Sequence, residues 1–190
     1  MKRIFAAVKI EPQQALHSLT GHLQQALAAD HIKWVPLENM HITLKFFGET
    51  PIDKVHQIAD VLNETTNTTS FDIEFTRLGI FGSSYKPRVI WLGVNDAGYL
   101  SGLAKNIQNA IVPLGYEIDR QNFVPHLTLG RINAIADKTY FQKIIDSLSE
   151  QKFEKQTIST LYLYESILSP SGPKYHILEA YKLLFERKNQ

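Results

Sequence analysis

The sequence predicts an α+β fold, with helices scattered among strands that pair mainly antiparallel. Three observations predict it. Helical periodicity recurs in separate places between strand-like runs, without the regular alternation of a βαβ repeat. No low-complexity linker divides the chain, and 190 residues suffice for one domain of ordinary size or two small lobes sharing a core. Hydrophobic residues make up 44% and charged residues 21%, the balance of a soluble globular protein.

Taken in order, Arg3 to Ile10 is rich in β-branched and aromatic residues and predicts a first strand. Pro12 opens a helix with Leu16, Leu19, Leu23, Ala26 and Leu27 on one face, weakened slightly by Gly21. Lys33 to Val35 is a short extended piece stopped by Pro36, and Met40 to Phe47 is a strand ended by Gly48. Thr50 as cap and Pro51 as first helical residue start a second helix, with Ile52, Val55, Ile58, Ala59 and Leu62 inward. Asn63 to Ser70 is a loop. Phe71, Ile73 and Phe75 alternate as in a half-buried strand. Gly82 to Pro87 is a turn, and Arg88 to Val94 the next strand. Leu100, Leu103, Ile107, Ala110, Ile111 and Leu114 mark a helix that stops near Gly115. Phe123 to Arg131 is strand-like, and a helix then turns Tyr140, Phe141, Ile144, Ile145 and Leu148 inward. Phe153 to Leu168 is one extended stretch. Ser169 to Pro173 has strong turn chemistry, and Tyr175 to Leu184 is a last strand.

Composition excludes several function classes. A formal net charge of +1 is too small for a protein that coats long nucleic acid, so any such contact is local, as with a strand end. The absence of cysteine excludes a disulfide framework and a thiolate metal site. In the opening MKRIFAAVKI, Lys9 and Glu11 cut the apolar run short of a signal sequence. No apolar stretch approaches the roughly 20 residues of a membrane helix. A cytoplasmic protein with no membrane partner is expected.

Chemistry enters through an internal echo. Residues 41–44 are His-Ile-Thr-Leu and residues 126–129 are His-Leu-Thr-Leu, each after a proline-containing loop. On a strand, His41 and Thr43 share one face, as do His126 and Thr128. Ile42, Leu44, Leu127 and Leu129 point the other way, into a core. A single His-x-Thr fits a structural histidine; two matching copies point to a shared site. Side by side, the strands would offer two imidazoles and two hydroxyls, a set able to bind a phosphate and move two protons. Arg131 is the candidate cation for the phosphate, although strict alternation puts it opposite His126 unless Gly130 hosts a bulge. Lys45 has the parity of His41 and Thr43 and reads equally as a residue of the cleft mouth or as a solvated surface lysine. His17, His22, His31 and His56 lack a threonine partner and have solvent or structural readings. Metal spacings such as HExxH are absent, so no metal is expected. Phe5, Trp34, Phe47, Tyr85, Phe123 and Tyr175 are candidates for stacking a base, though core positions suit most of them.

The two copies resemble the HxTx motifs of the two-histidine phosphoesterase superfamily. Trp34-Val35-Pro36, Glu38-Asn39, His41 to Gly48, Gly79, Phe81, Pro87-Arg88-Val89, Trp91-Leu92-Gly93, Pro125 to Leu129, Arg131 and Gly172-Pro173 with Tyr175 resemble its RNA 2′,3′-cyclic phosphodiesterase branch, also called 2′-5′ RNA ligases. The similarity runs from about Ile4 to about Leu184. It implies a bilobal domain over residues 1–190, with two antiparallel sheets flanking a central V-shaped cleft and helices outside. It implies hydrolysis of RNA 2′,3′-cyclic phosphate ends to 2′-phosphate ends, with weak 2′-5′ joining as a side reaction and no cofactor. His126 is then the base, His41 the acid, and Thr43, Thr128 and Arg131 bind substrate. The expected partner is an RNA end or a small cyclic nucleotide, handled by a monomer. Two alternatives stand beside this: a phosphodiesterase for 2′-5′ oligonucleotides or small cyclic nucleotide phosphates, and a non-catalytic RNA-end binding module.

Overall fold

Alternating apolar residues need a partner surface on one face only, and the strands satisfy this by forming two antiparallel sheets. The structure, a computed structural model, describes residues 1–83, 85–119, 122–170 and 172–184. Ser84 and Ser171, each within an expected turn, and the end of the expected 1–190 domain lie outside them. The elements are β1 (Lys2–Lys9), α1 (Gln14–Ala26), β2 (His31–Trp34), β3 (His41–Thr50), α2 (Ile52–Thr65), β4 (Phe71–Gly82), β5 (Pro87–Asn95), α3 (Tyr99–Ile111), β6 (His126–Ala134), α4 (Lys138–Ser147), β7 (Lys152–Ile158), β8 (Thr160–Ser169) and β9 (Gly172–Lys182). One sheet has the order β3-β1-β8-β9 and the other β2-β6-β5-β4-β7. The sheets are not successive halves of the chain, since each takes strands from both.

One apolar core joins the sheets and helices. Leu16 and Leu23 of α1, Ile58 and Leu62 of α2, and Leu103 and Ile107 of α3 pack with Ile42, Leu44, Leu127 and Leu129 of the two motif strands. All are almost fully buried, and each such side chain stabilises the fold by about 1.5–3 kcal/mol. The other face of the first sheet carries a smaller cluster of Phe5, Ala7 and Tyr164, flanked by Tyr162 and Tyr175.

Several local expectations are corrected. The first helix starts at Gln14, two residues after Pro12. Its free N–H groups are satisfied from a distant strand: the buried carboxylate of Glu154 in β7 accepts from Gln13 N and Leu16 N, each at 3.0 Å. β3 does not end at Gly48 but runs on to Thr50. Thr50 is therefore the buried last residue of the strand and Pro51 the cap, which leaves Ile52 exposed. Asn63 to Thr65 extend α2 into the expected loop. Tyr140 is exposed, because Asp137 caps α4 so that Phe141 and Ile145 face the core. The stretch from Phe153 to Leu168 is two strands in different sheets. Ile158 pairs with Phe71 and Thr160 with Lys182, so the chain crosses between sheets at Ser159.

Candidate active site

His41 opens β3 and His126 opens β6, and these two strands lie against each other across the space between the sheets. Their pairings match position by position. In one, Lys9, Val8 and Ala7 oppose His41, Ile42 and Thr43; in the other, Gly93, Leu92 and Trp91 oppose His126, Leu127 and Thr128. Both ladders then slip by one residue. Ala7 pairs with Thr43 but Ala6 with Lys45, and Trp91 pairs with Thr128 but Ile90 with Gly130. Leu44 and Leu129 are the extra residues, so each motif ends in a bulge.

These bulges decide which side chains reach the histidines. A bulge reverses the alternation beyond it. Arg131 is thereby returned to the His126 face, where it borders the cavity between the sheets. The same reversal removes Lys45 from the His41 face. It is buried at the cavity edge, with Nζ donating to Asp119 Oδ1 at 2.6 Å and to the Glu117 carbonyl at 3.4 Å. Phe47 turns into the core, and Phe46 turns to the cavity with 55% of its surface exposed.

The cavity, about 1000 Å³, is lined among others by His41, Thr43, His126, Thr128 and Arg131, so all five candidate residues meet in one space. Each imidazole is held in the same way. His41 Nδ1 bonds the carbonyl of Asn39, two residues back, at 2.7 Å, and His126 Nδ1 bonds that of Val124 at 2.7 Å. A carbonyl only accepts, so Nδ1 carries the proton and donates it. Nε2 is left as the working nitrogen of each ring, a base when neutral and an acid when protonated.

Burial pushes both imidazoles below the ordinary histidine value of 6.5. The carbonyls of Asn39 and Val124 oppose this by accepting from the ring. The Arg131 guanidinium reinforces it at both sites, and the charge of His126 adds to it at His41. Protonating His126 thus discourages protonation of His41.

Aromatic rings support both histidines. Phe5 lies 5.0 Å from the His41 ring, with Tyr175 edge-on at 5.0 Å. Phe81 stands edge-on to His126 at 4.7 Å and stacks on Trp91. Burial raises the Tyr175 phenol against the opposing charges of Arg131 and Arg3, so it remains a neutral donor. Of the other base-stacking candidates, Trp34 and Phe123 border the cavity, whereas Tyr85 is exposed beneath the Lys138 ammonium. Reading the sequence by alternation missed Phe46, and it also missed Lys33, which pairs across strands with Arg131 and lines the same cavity. His17, His22, His31 and His56 are exposed. Among the described residues, no three His, Asp or Glu side chains are grouped to hold a metal ion, and no helix is long and apolar enough to cross a membrane.

Two equivalent His-x-Thr strands facing one cleft, with a guanidinium beside them, define a two-histidine phosphoesterase. Comparison with known proteins agrees. The family model described as LigT like phosphoesterase matches twice, over residues 8–91 and 92–175, so each half of the chain carries one copy. The chain belongs to the LigT-like phosphoesterase family. A Methanothermobacter thermautotrophicus protein named RNA 2′,3′-cyclic phosphodiesterase is 32% identical over 184 residues, 95% of this chain and 98% of that one. A Thermotoga maritima protein of the same name is 34% identical over 80% of this chain and 79% of its own. Escherichia coli LigT in its apo form shares the fold with a TM-score of 0.76, at 20% identity over 96% of this chain and 98% of that one.

Proposed function

We propose that this chain is an RNA 2′,3′-cyclic phosphodiesterase that works by acid–base catalysis without a metal ion. The observation that carries the reading is the matched pair of imidazoles, each with Nδ1 tied to a carbonyl and Nε2 left for substrate, in one cavity with Arg131. The names of relatives that align over nearly their whole length support the substrate class. The main apolar core, shared by both sheets, supports treating residues 1–190 as one bilobal domain.

In this mechanism neutral His126 takes a proton from water through Nε2, and the oxygen attacks phosphorus in line with the 3′ oxygen. The bond from phosphorus to the 3′ oxygen breaks as protonated His41 supplies that oxygen with a proton. The product carries a 2′-phosphate and a 3′-hydroxyl. Each proton transfer contributes typically about 10²–10⁴ in rate. Arg131 and the hydroxyls of Thr43 and Thr128 hold the non-bridging oxygens, whose charge grows in the transition state. A 5′-hydroxyl in place of water would join two RNA ends through a 2′-5′ linkage, a minor route because water is far more abundant.

The test is turnover of a 2′,3′-cyclic nucleotide in excess chelator, with the product followed by phosphorus NMR. A 2′-phosphate formed at an undiminished rate is expected. A 3′-phosphate product would mean that substrate sits reversed between the histidines. Activity lost to chelator and restored by one divalent metal would overturn the metal-free mechanism. Turnover of 2′-5′ oligonucleotides alone would move the substrate assignment.

A further inference from the structure

The cavity carries more positive charge than one phosphate needs. Lys33, Lys45, Arg131 and Lys174 all line it. Lys45 is matched by Asp119. Lys33, Arg131 and Lys174 are exposed, and among the described residues none of the three has an ion pair. Lys33 and Arg131 stand directly opposite each other in the β2–β6 ladder. Side chains so placed share a face, with Cβ atoms about 4.5–5.5 Å apart, and like charges there destabilise a sheet. The fold therefore tolerates a repulsion that an anion held by the two cations would relieve.

Its place in the sheet separates Lys33 from the reacting phosphate. Arg131 is close enough to lower both histidines, which puts its charge at the catalytic centre. Lys33 lies one strand further out, on the edge strand β2. Its ammonium reaches across the cleft to β9: a Cβ on Gly172 would lie 3.5 Å from Lys33 Cε and Nζ, and Gly172 begins the strand that carries Lys174. Free ammonium groups from both sheets therefore line the end of the cleft where β2 meets β9.

We propose that Lys33 and Lys174 bind a second phosphate, the one that links the terminal nucleotide to the rest of the RNA. This inference rests on the phosphodiesterase reading above and deepens it, because it makes the end of a strand, and not a lone nucleoside, the preferred substrate. In a 2′,3′-cyclic end both of those oxygens are tied up in the ring. The next phosphate of the strand is therefore attached through the 5′ oxygen, one ribose away from the reacting phosphorus. With the cyclic phosphate held by His41, His126 and Arg131, that second phosphate needs cations further along the same cleft. Two ammonium groups without a protein partner answer that need, and they act on charge alone, so the base sequence is not read. A contact limited to two phosphates also agrees with a net charge of only +1.

The test compares adenosine 2′,3′-cyclic phosphate, its 5′-phosphate, and the methyl ester of that 5′-phosphate, which mimics an RNA linkage without a second base. Wild type should prefer both 5′-phosphorylated substrates in kcat/KM by roughly 2- to 30-fold, the range for two exposed ion pairs. The preference should shrink as salt rises. In the double variant Lys33→Gln, Lys174→Gln it should fall towards one. In Lys143→Gln, the same change of charge at an exposed position on α4, it should persist. Lys33→Gln should also unfold no earlier than wild type, because it relieves the repulsion with Arg131. Equal rates for the three substrates in wild type, a preference that survives loss of both lysines, or one lost equally in Lys143→Gln would overturn the proposal, as would a lower Tm in Lys33→Gln. A preference that the methyl ester abolishes would overturn the assignment to an RNA strand. If wild type turns over none of the substrates, the phosphodiesterase reading fails instead. Calorimetric binding of adenosine 2′,5′-bisphosphate against adenosine 2′-monophosphate then decides the second site separately, since the advantage of the bisphosphate must depend on Lys33 and Lys174.

Discussion

The turn of Lys45 away from His41 makes an unequal pair of predictions. The ion pair joins a lysine side chain that is 4% exposed to an aspartate, Asp119, that is 52% exposed. Among the described residues, Asp119→Ala leaves the buried ammonium with the Glu117 carbonyl at 3.4 Å as its remaining hydrogen-bond partner. Removing one partner of a fully buried pair costs about 3–5 kcal/mol. Water reaches half of Asp119, which reduces the expected loss to about 1–2 kcal/mol. Lys45→Met keeps an unbranched side chain in the buried path, and Asp119 returns to water. That change should cost less than about 1 kcal/mol. For a chain of this length, Asp119→Ala should lower Tm by about 2–8 °C and Lys45→Met by clearly less. Thermal and urea unfolding of both variants, with the double variant to close the cycle, measures the difference. If Lys45→Met were the more damaging change, Lys45 would not be a buried cation that needs Asp119, and the reversed alternation after Leu44 would be wrong.

Two further predictions follow from the same geometry. Unperturbed histidines place the optimum of kcat/KM near neutrality, but burial and Arg131 lower both, so the singly protonated pair is most populated on the acid side of 6.5. Arg131→Met removes a repulsion felt at both rings; it should lower the rate and shift both limbs of the bell to higher pH, and limbs that stay in place would separate Arg131 from the histidines. Gly79 sits opposite Trp91, and an added Cβ would lie 2.6 Å from Trp91 Cζ2. Gly79→Ala should therefore displace the indole that stacks on Phe81 beside His126, with a loss of about 1–3 kcal/mol in unfolding free energy; wild-type stability would show that the indole is free to move.

The chemistry was legible in sequence because it is written twice. His41-x-Thr43 and His126-x-Thr128 state their common face by simple alternation, and the apolar residues between them state the core. What alternation could not reach was the residue beyond each motif. An unpaired Leu44 or Leu129 exists only relative to a partner strand, β1 or β5, so the bulge is a property of the pairing. That is why Arg131 stood on the wrong face by parity, why Lys45, open between the cleft mouth and the solvated surface, is buried at the cavity edge, and why Phe47 lies in the core while Phe46 is exposed at the cavity. Gly130 gave the one local hint, and its partner position, Lys45, gave none. The start of α1 was misplaced for a similar reason: the carboxylate that satisfies it comes from Glu154, more than a hundred residues away. The crossing at Ser159 carries no glycine or proline, so Phe153 to Leu168 looked continuous.

The account's central claim is that the two imidazoles divide acid and base work on a 2′,3′-cyclic phosphate. A substrate with sulfur in place of the 3′ oxygen tests it most directly, because a thiolate leaves with little need of a proton. His41→Ala should lose about 10²–10⁴ in rate on the oxygen substrate and recover much of it on the sulfur substrate. His126→Ala should lose a similar factor and recover little, since activation of water is still missing. Both variants are first shown to fold by their thermal transitions. Equal recovery in the two variants would contradict the division of labour, and recovery in His126→Ala alone would exchange the roles.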